Sequence, residues 1–254
     1  MDLNLADRTA MITGASKGIG LGCARALASE GVNVVLVSRS GDVLDTVARS
    51  IEAEFGVATR THAVDLADSG ARAELAEAEP ELDILVNNAG AIPAGALDQI
   101  DDDTWREAWD LKVFGYVDLC RRYLPRFEAA GAGVIVNVIG VGGQRPQPTY
   151  IAGAAGNAGL MAFSVALGSR SLRHGVRVVA VNPGLIITDR LGDMLRRRAL
   201  DELGDAARWE ELIPSEPAPG TVEQVADVVT FLASDRASHV SGTILTVDGG
   251  AAAR

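Results

Sequence analysis

The stretch Thr13-Gly14-Ala15-Ser16-Lys17-Gly18-Ile19-Gly20 decides the reading of this chain. The apolar run Arg8–Ile12 ahead of it predicts a strand, and the Ala/Leu-rich run Leu21–Ser29 behind it predicts a helix. A glycine-rich turn between a strand and a helix lets the backbone come close to a ligand. It also points the helix N-terminus, with its unpaired N–H groups and positive dipole end, at an anion. That is the chemistry of a pyrophosphate site. The spacing is Gly-x3-Gly-x-Gly rather than Gly-x-Gly-x-x-Gly, so a purely structural glycine turn is the competing explanation of the motif taken alone.

Outward from the turn, strand-like and helix-like segments alternate. Strands are expected at 32–37, 58–64, 82–86, 134–139, 176–181 and 243–247, of which 32–37 is a continuous apolar run typical of burial on both faces. Helices are expected at 42–55, 69–78, 103–130 (bent, with Pro125 near its end), 150–173 and 221–234, and 183–220 reads as less regular. Seven strands alternating with helices predict an α/β fold, a doubly wound parallel sheet covered on both faces, with ligands at the strands' carboxyl ends. No repeat or linker divides residues 1–254, which read as a single dinucleotide-binding domain of the Rossmann type. Pro214–Pro219 reads as a hinge inside it.

The chain is 48% apolar and 22% charged, with a net charge of −11. A negative surface argues against nucleic-acid and membrane partners. No apolar run reaches about 18 residues and the N-terminus is acidic, so no spanning helix or leader is expected and the cytoplasm is the expected location. Cys23 and Cys120 lack CxxC spacing, and His62, His174 and His239 are scattered, so no metal site is expected.

With these elements in place, the chain resembles the short-chain dehydrogenase/reductase family over nearly its whole length. The matching marks are Thr13–Gly20, Asp65-Leu66, Asn87-Asn88-Ala89-Gly90, Tyr150, Asn182-Pro183-Gly184 with Thr188, and Asp248-Gly249-Gly250. The resemblance implies a nicotinamide dinucleotide. It assigns the pyrophosphate to the turn that includes Gly14, Ser16, Lys17, Gly18, Ile19 and Gly20. Asp65 and Leu66 would meet the adenine edge, Asn88, Ala89 and Gly90 the adenosine ribose side, and Pro183, Gly184 and Thr188 the nicotinamide. The second strand runs into Ser38-Arg39, where an NAD site usually carries an acidic residue. An arginine there matches a 2′-phosphate, and Lys17 adds a second cation, so NADP is expected over NAD. The resemblance also implies a homodimer or homotetramer through two long central helices.

The family's reaction uses an asparagine, a serine, a tyrosine and a lysine four residues after the tyrosine. Aligned on Tyr150, the lysine position is Ala154, the serine position is Gly140 and the asparagine position is Lys112. An ammonium about 4 Å from a phenol at an effective dielectric near 20 is worth roughly 4 kcal/mol, so its loss removes much of the tyrosine's tuning. A lost hydroxyl donor costs about 10²–10³ in rate. Three readings follow. Lys112 returns the positive charge toward Tyr150 or the nicotinamide ribose, unless it is a solvated helix lysine. Alternatively Tyr150 works in altered oxidoreductase chemistry with Asn137 or Asn157 as polar helper, although Asn157 reads first as an interhelical hydrogen-bonding residue. Or the fold binds dinucleotide as a sensor or scaffold without turnover.

Gly153, Gly156 and Gly159 form a smooth stripe expected to pack on the sheet or on a second subunit. The substrate lid is expected at 188–219. Its Arg190, Arg196, Arg197 and Arg198 could meet an anionic substrate such as an acyl thioester, or simply pair with Asp201, Glu202 and Asp205. Trp105 and Trp109, four apart, read as core or interface.

Overall fold

The computed structural model describes residues 1–253, and the Arg190 side chain also lies outside the described residues. Seven strands form one sheet: β1 (Thr9–Thr13), β2 (Asn33–Ser38), β3 (Thr59–Ala63), β4 (Ile84–Asn87), β5 (Gly133–Val138), β6 (Val176–Pro183) and β7 (Ile244–Val247). Every pairing is parallel, in the order β3-β2-β1-β4-β5-β6-β7. The expected doubly wound α/β architecture is therefore the observed one. Successive residues of a strand face opposite sides. Ile12, Leu36, Val86 and Val136 fill one core with α1 (Gly18–Ser29), α2 (Gly41–Phe55) and α8 (Val222–Ala233). Met11, Val35, Leu85 and Ile135 fill the other with α3 (Ser69–Ala78) and α5 (Gly115–Ala130). The strand order reverses between β1 and β4, which opens a crevice at their carboxyl ends.

Two segments differ from the sequence expectation. The single bent helix is instead α4 (Asp102–Trp109), a π-helical turn at Asp110–Phe114, and α5. The change of winding falls there and not at Pro125, which lies inside α5. Such π insertions often sit at functional sites, and this one carries Lys112. The "irregular" 183–220 region contains α7 (Asp189–Leu203) and a 3₁₀ segment at Ala206–Leu212. Thr188 caps α7 by accepting from the Leu191 N–H, and Leu191, Leu195 and Ala199 bury a four-residue stripe. Its heavy charge hides that stripe from a reading of composition.

The longest helix is α6 (Ile151–Ser171), continued by a 3₁₀ turn to His174. An 18-residue window within residues 151–174 has a mean hydropathy of 1.4, and among the described residues this one helix is long and apolar enough to cross a membrane, contrary to the sequence expectation. Half of that stretch is buried within the fold, where it lies along β6 as a core helix does.

One buried ion pair positions the site. Arg72 on α3 donates from Nε to Asp118 on α5 (3.0 Å) and from Nη1 to the carbonyls of Leu66 (2.6 Å) and Ala67 (3.1 Å). It thereby holds the turn that follows β3. Burial raises the Asp118 pKa, but hydrogen bonds from Arg121, Arg72 and Arg122 outweigh it and hold the carboxyl below the usual range. A depressed carboxylate contributes stability above its unfolded pKa of about 3.9, and that contribution is lost as pH falls through the folded value. Asp118→Ala leaves Arg72 buried without its counter-ion and is expected to cost about 3 kcal/mol at pH 7 in urea unfolding. The variant's stability should also fall less steeply than the wild type's below about pH 4.

Candidate active site at the carboxyl ends of the strands

The glycine turn is held from behind. Thr13 Oγ1 accepts the backbone N–H groups of Asn88 (2.8 Å) and Ala89 (3.0 Å), and Asn88 Nδ2 donates to the Thr13 carbonyl (2.9 Å). Gly14 and Gly18 adopt φ of 69° and 56°. A Cβ on Gly20 would lie 2.3 Å from the Gly14 carbonyl oxygen, so the helix starts hard against the turn. Lys17 occupies the N-cap of α1 and no side chain caps the helix, which leaves its first-turn amides facing outward. This cradle fits a diphosphate. Ser16 is half-buried in the turn, and Ile19 packs back onto the core. The Asn88 side chain braces the turn from behind, and Ala89 and Gly90 continue the same wall.

Beyond the turn lies a cleft of about 220 Å³ lined by Arg39, Asp65, Ala91, Thr104 and Leu111, among others. Arg39 is exposed and makes no salt bridge among the described residues. Ser38 Oγ accepts the Ser40 N–H (3.2 Å), which shapes the turn that presents Arg39. Asp65 accepts the Ala67 N–H (3.0 Å), and the buried Leu66 is fixed through its carbonyl by Arg72. A larger hollow of about 500 Å³, at Thr9, Arg60, Glu79 and Asp83, opens at the amino-terminal ends of the strands, away from the glycine turn. On the other side of the turn, the Thr188 methyl lies 3.6 Å from where a Gly18 Cβ would stand. Pro183 ends β6, and the Gly184 N–H donates to Val247 (2.9 Å).

The other wall of the crevice is built on three successive carbonyls at the end of β5. Val138 accepts from Tyr116 Oη on α5 (2.8 Å), Ile139 from Lys112 Nζ on the π turn (2.5 Å), and Gly140 from Asn157 Nδ2 on α6 (3.3 Å). Lys112 is buried, not solvated, and its stem runs beneath Gly90, where a Cβ would sit 2.8 Å from Lys112 Cδ. Gly140 has φ 124°, a conformation that L side chains rarely adopt. Asn157 is 2% exposed, and its bond runs to the Gly140 turn rather than to a neighbouring helix. Tyr150 precedes α6 at its N-cap, half-buried, and packs with Trp105 and Trp109 against Ile92, Ile100 and Ala152.

Several sequence candidates resolve into structural parts. Asn137 is fully buried between Asn87 Nδ2 and Ser164 Oγ, both at 2.9 Å, and cannot act as a polar helper. Gly153, Gly156 and Gly159 do not share one neighbour. A Cβ at Gly153 would strike the Tyr150 ring, one at Gly156 would press on Val113 and Trp109, and Gly159 faces open space. On α7, Arg196 pairs with Asp193 and stacks on Trp209, and Arg198 pairs with Glu202. Arg190 is on α7, but its side chain is outside the described residues. Cys23 and Cys120 are free and buried, and burial pushes both thiols up to about 12, which makes them inert. No cluster of metal-ligating side chains occurs among the described residues.

Residues 14–252 match a family described as enoyl-(acyl carrier protein) reductase. The chain is 37% identical over 261 residues to a cis-4-hydroxycyclohexanecarboxylate dehydrogenase of Sinomonas cyclohexanicum, covering 96% of each. It is 34% identical over 246 residues to the L-tagatose-forming galactitol 2-dehydrogenase of Cereibacter sphaeroides, covering 95% of this chain and 93% of that one. Among solved structures, L-sorbose reductase from Gluconobacter frateurii, complexed with NADPH and L-sorbose, superposes with a TM-score of 0.91 at 32% identity and 98% coverage of both chains.

The Gly140 backbone yields a direct prediction. A serine placed there must adopt φ near 124°, so Gly140→Ser is expected to cost about 1–3 kcal/mol in urea unfolding. An unchanged midpoint would show that the turn readily accepts a side chain.

Proposed function

Because the chain belongs to the short-chain dehydrogenase/reductase family, we propose that it is an NADP(H)-dependent oxidoreductase that interconverts a carbonyl and a hydroxyl, with Tyr150 as the proton donor and acceptor. The observation that carries this is the uncapped N-terminus of α1 behind a glycine turn, with Arg39 beside it, exposed and without a salt bridge among the described residues. The amides receive the diphosphate, while Arg39 and Lys17 receive a 2′-phosphate. Asp65 and Leu66 meet the adenine, Asn88, Ala89 and Gly90 line the adenosine ribose side, and Pro183, Gly184 and Thr188 border the nicotinamide. When bound, NADPH supplies a hydride to the carbonyl carbon. The chain's own share is the proton: the Tyr150 phenol delivers it to the carbonyl oxygen in reduction and takes it back in oxidation. Lys112, buried on the π turn, adds positive charge at the end of β5, which stabilises negative charge developing nearby.

The neighbours act on sugars and a cyclohexane carboxylate as their names state, and a substrate of the carbonyl/hydroxyl class, including acyl thioesters, lies within this reading. We place the protein in the cytoplasm as a homodimer or homotetramer. The exposed face of α6 (Ala155, Ala158, Gly159, Ala162, Val165) is flat and apolar, as a face that meets a second copy would be. A second reading, a dinucleotide-binding scaffold without turnover, is favoured by Gly140, whose backbone excludes the serine of the usual reaction.

Calorimetry and NADPH oxidation test both. NADPH is expected to bind, and Arg39→Ala to weaken NADPH at least about ten-fold while leaving NADH within two-fold, since each charged phosphate contact is worth about 1.5–3 kcal/mol. With L-sorbose or a 3-oxoacyl thioester as acceptor, Tyr150→Phe is expected to lower kcat by about 10² or more. Binding without oxidation of NADPH by any carbonyl or enoyl acceptor would favour the scaffold.

A further inference from the structure

The tyrosine is present in this chain, but it does not stand where a tyrosine four residues before a facing residue should stand. On α6 the residue whose side chain meets the Gly140 turn is Asn157, and the residue four before it is Gly153, not Tyr150. Gly153 is buried and has no side chain. Its place is taken: a Cβ built on Gly153 would lie 2.0 Å from Tyr150 Cζ, 2.2 Å from Cε1 and 2.5 Å from Cε2. The phenol ring therefore lies flat across the Gly153 backbone. Its far edge is closed by Gly142, whose Cβ would come 3.2 and 3.3 Å from Cε1 and Cδ1 and 3.6 Å from Asn157 Nδ2. Tyr150 itself has φ −139° and ψ 39°, outside the helical range, which frees its side chain to turn back over the first turn of α6.

We propose that the catalytic tyrosine has moved three residues toward the N-terminus and that Gly153 is its seat: the phenol of Tyr150 returns to the site across a position emptied for it. This rests on the reading of Tyr150 as the proton donor. Gly153 and Gly142 are then positioning residues. The emptied lysine position is Asn157 and not Ala154. With Lys112 standing where the family has its asparagine, the ammonium and the amide have exchanged walls of the site: Lys112 enters from the π turn onto Ile139, and Asn157 from α6 onto Gly140. Three residues of helix amount to a rise of about 4.5 Å, a distance that a tyrosine side chain folded along the helix can make up.

The full chain labelled with 3-fluorotyrosine tests this by ¹⁹F NMR. It contains three tyrosines, and Tyr116 and Tyr123 are buried at 1% and 0% exposure, so the Tyr150 line is identified by its loss in Tyr150→Phe. The Tyr150 line is expected to shift in Gly153→Ala and to lose its response to added NADPH, while the lines of Tyr116 and Tyr123 hold still. The relocated phenol, Tyr150→Ala with Gly153→Tyr, is expected to regain an NADPH-responsive line. A Tyr150 line that Gly153→Ala leaves in place overturns the seat, and so does a variant line that still responds fully to NADPH. Should Gly153→Ala fail to fold, Gly142→Ala presses the ring from its other side and is read in the same way. If NADPH does not bind the wild type in calorimetry, the dinucleotide reading falls, whereas the seat stands or falls on the shift in Gly153→Ala alone.

Discussion

A parallel sheet ends in carbonyls that have no further strand to pair with, and the molecule is arranged around giving them donors. At β1 the Thr13 carbonyl takes the Asn88 amide. At β5 the Val138, Ile139 and Gly140 carbonyls take Tyr116, Lys112 and Asn157, each from a different helical segment. These bonds fix the two walls of the crevice. One wall is the glycine turn, locked by Thr13 and Asn88. The other is the end of β5, to which the π turn and α6 are tied. What remains between them is a space with outward-facing amides on one side and a buried ammonium, an amide and a phenol on the other.

The same need explains how Gly140 and Lys112 are set. A serine hydroxyl at position 140 would be one more donor at this edge; here the backbone has turned into a glycine-only conformation, and its carbonyl is satisfied by Asn157 instead. Lys112 is long enough to run under Gly90 and reach Ile139, and it does so only because Gly90 lacks a Cβ. Glycine recurs wherever two groups would otherwise collide: Gly20 against the Gly14 carbonyl, Gly90 over the Lys112 stem, Gly153 beneath the Tyr150 ring. At these positions glycine is chosen for space rather than for flexibility.

Farther out, the supports are electrostatic. Arg72 spends its guanidinium on Asp118 and on two carbonyls of the turn after β3, so the Asp65 side of the crevice is held by a buried ion pair between α3 and α5. By contrast, two arginines of α7 have local partners on the surface: Arg196 pairs with Asp193 and stacks on Trp209, and Arg198 pairs with Glu202. Such exposed pairs add little stability.

The sequence alone determined the layered α/β architecture, because two-faced apolar strands alternating with amphipathic helices have few other ways to bury themselves, and it located the glycine turn and Arg39, because local chemistry suffices there. Through the family resemblance it also singled out Lys112, Gly140 and Tyr150, but it set Ala154 where the structure turns Asn157 toward Gly140. Only the tertiary structure decided what they do to each other. That Asn88 braces the turn, that Asn137 is locked between Asn87 and Ser164, that winding changes at 110–114, and that the Tyr150 ring lies on Gly153 all depend on atoms brought together from distant or differently wound segments. Residue spacing along a chain fixes which way a side chain leaves its own helix, but not where a side chain at a helix end folds back, nor which carbonyl a long lysine reaches.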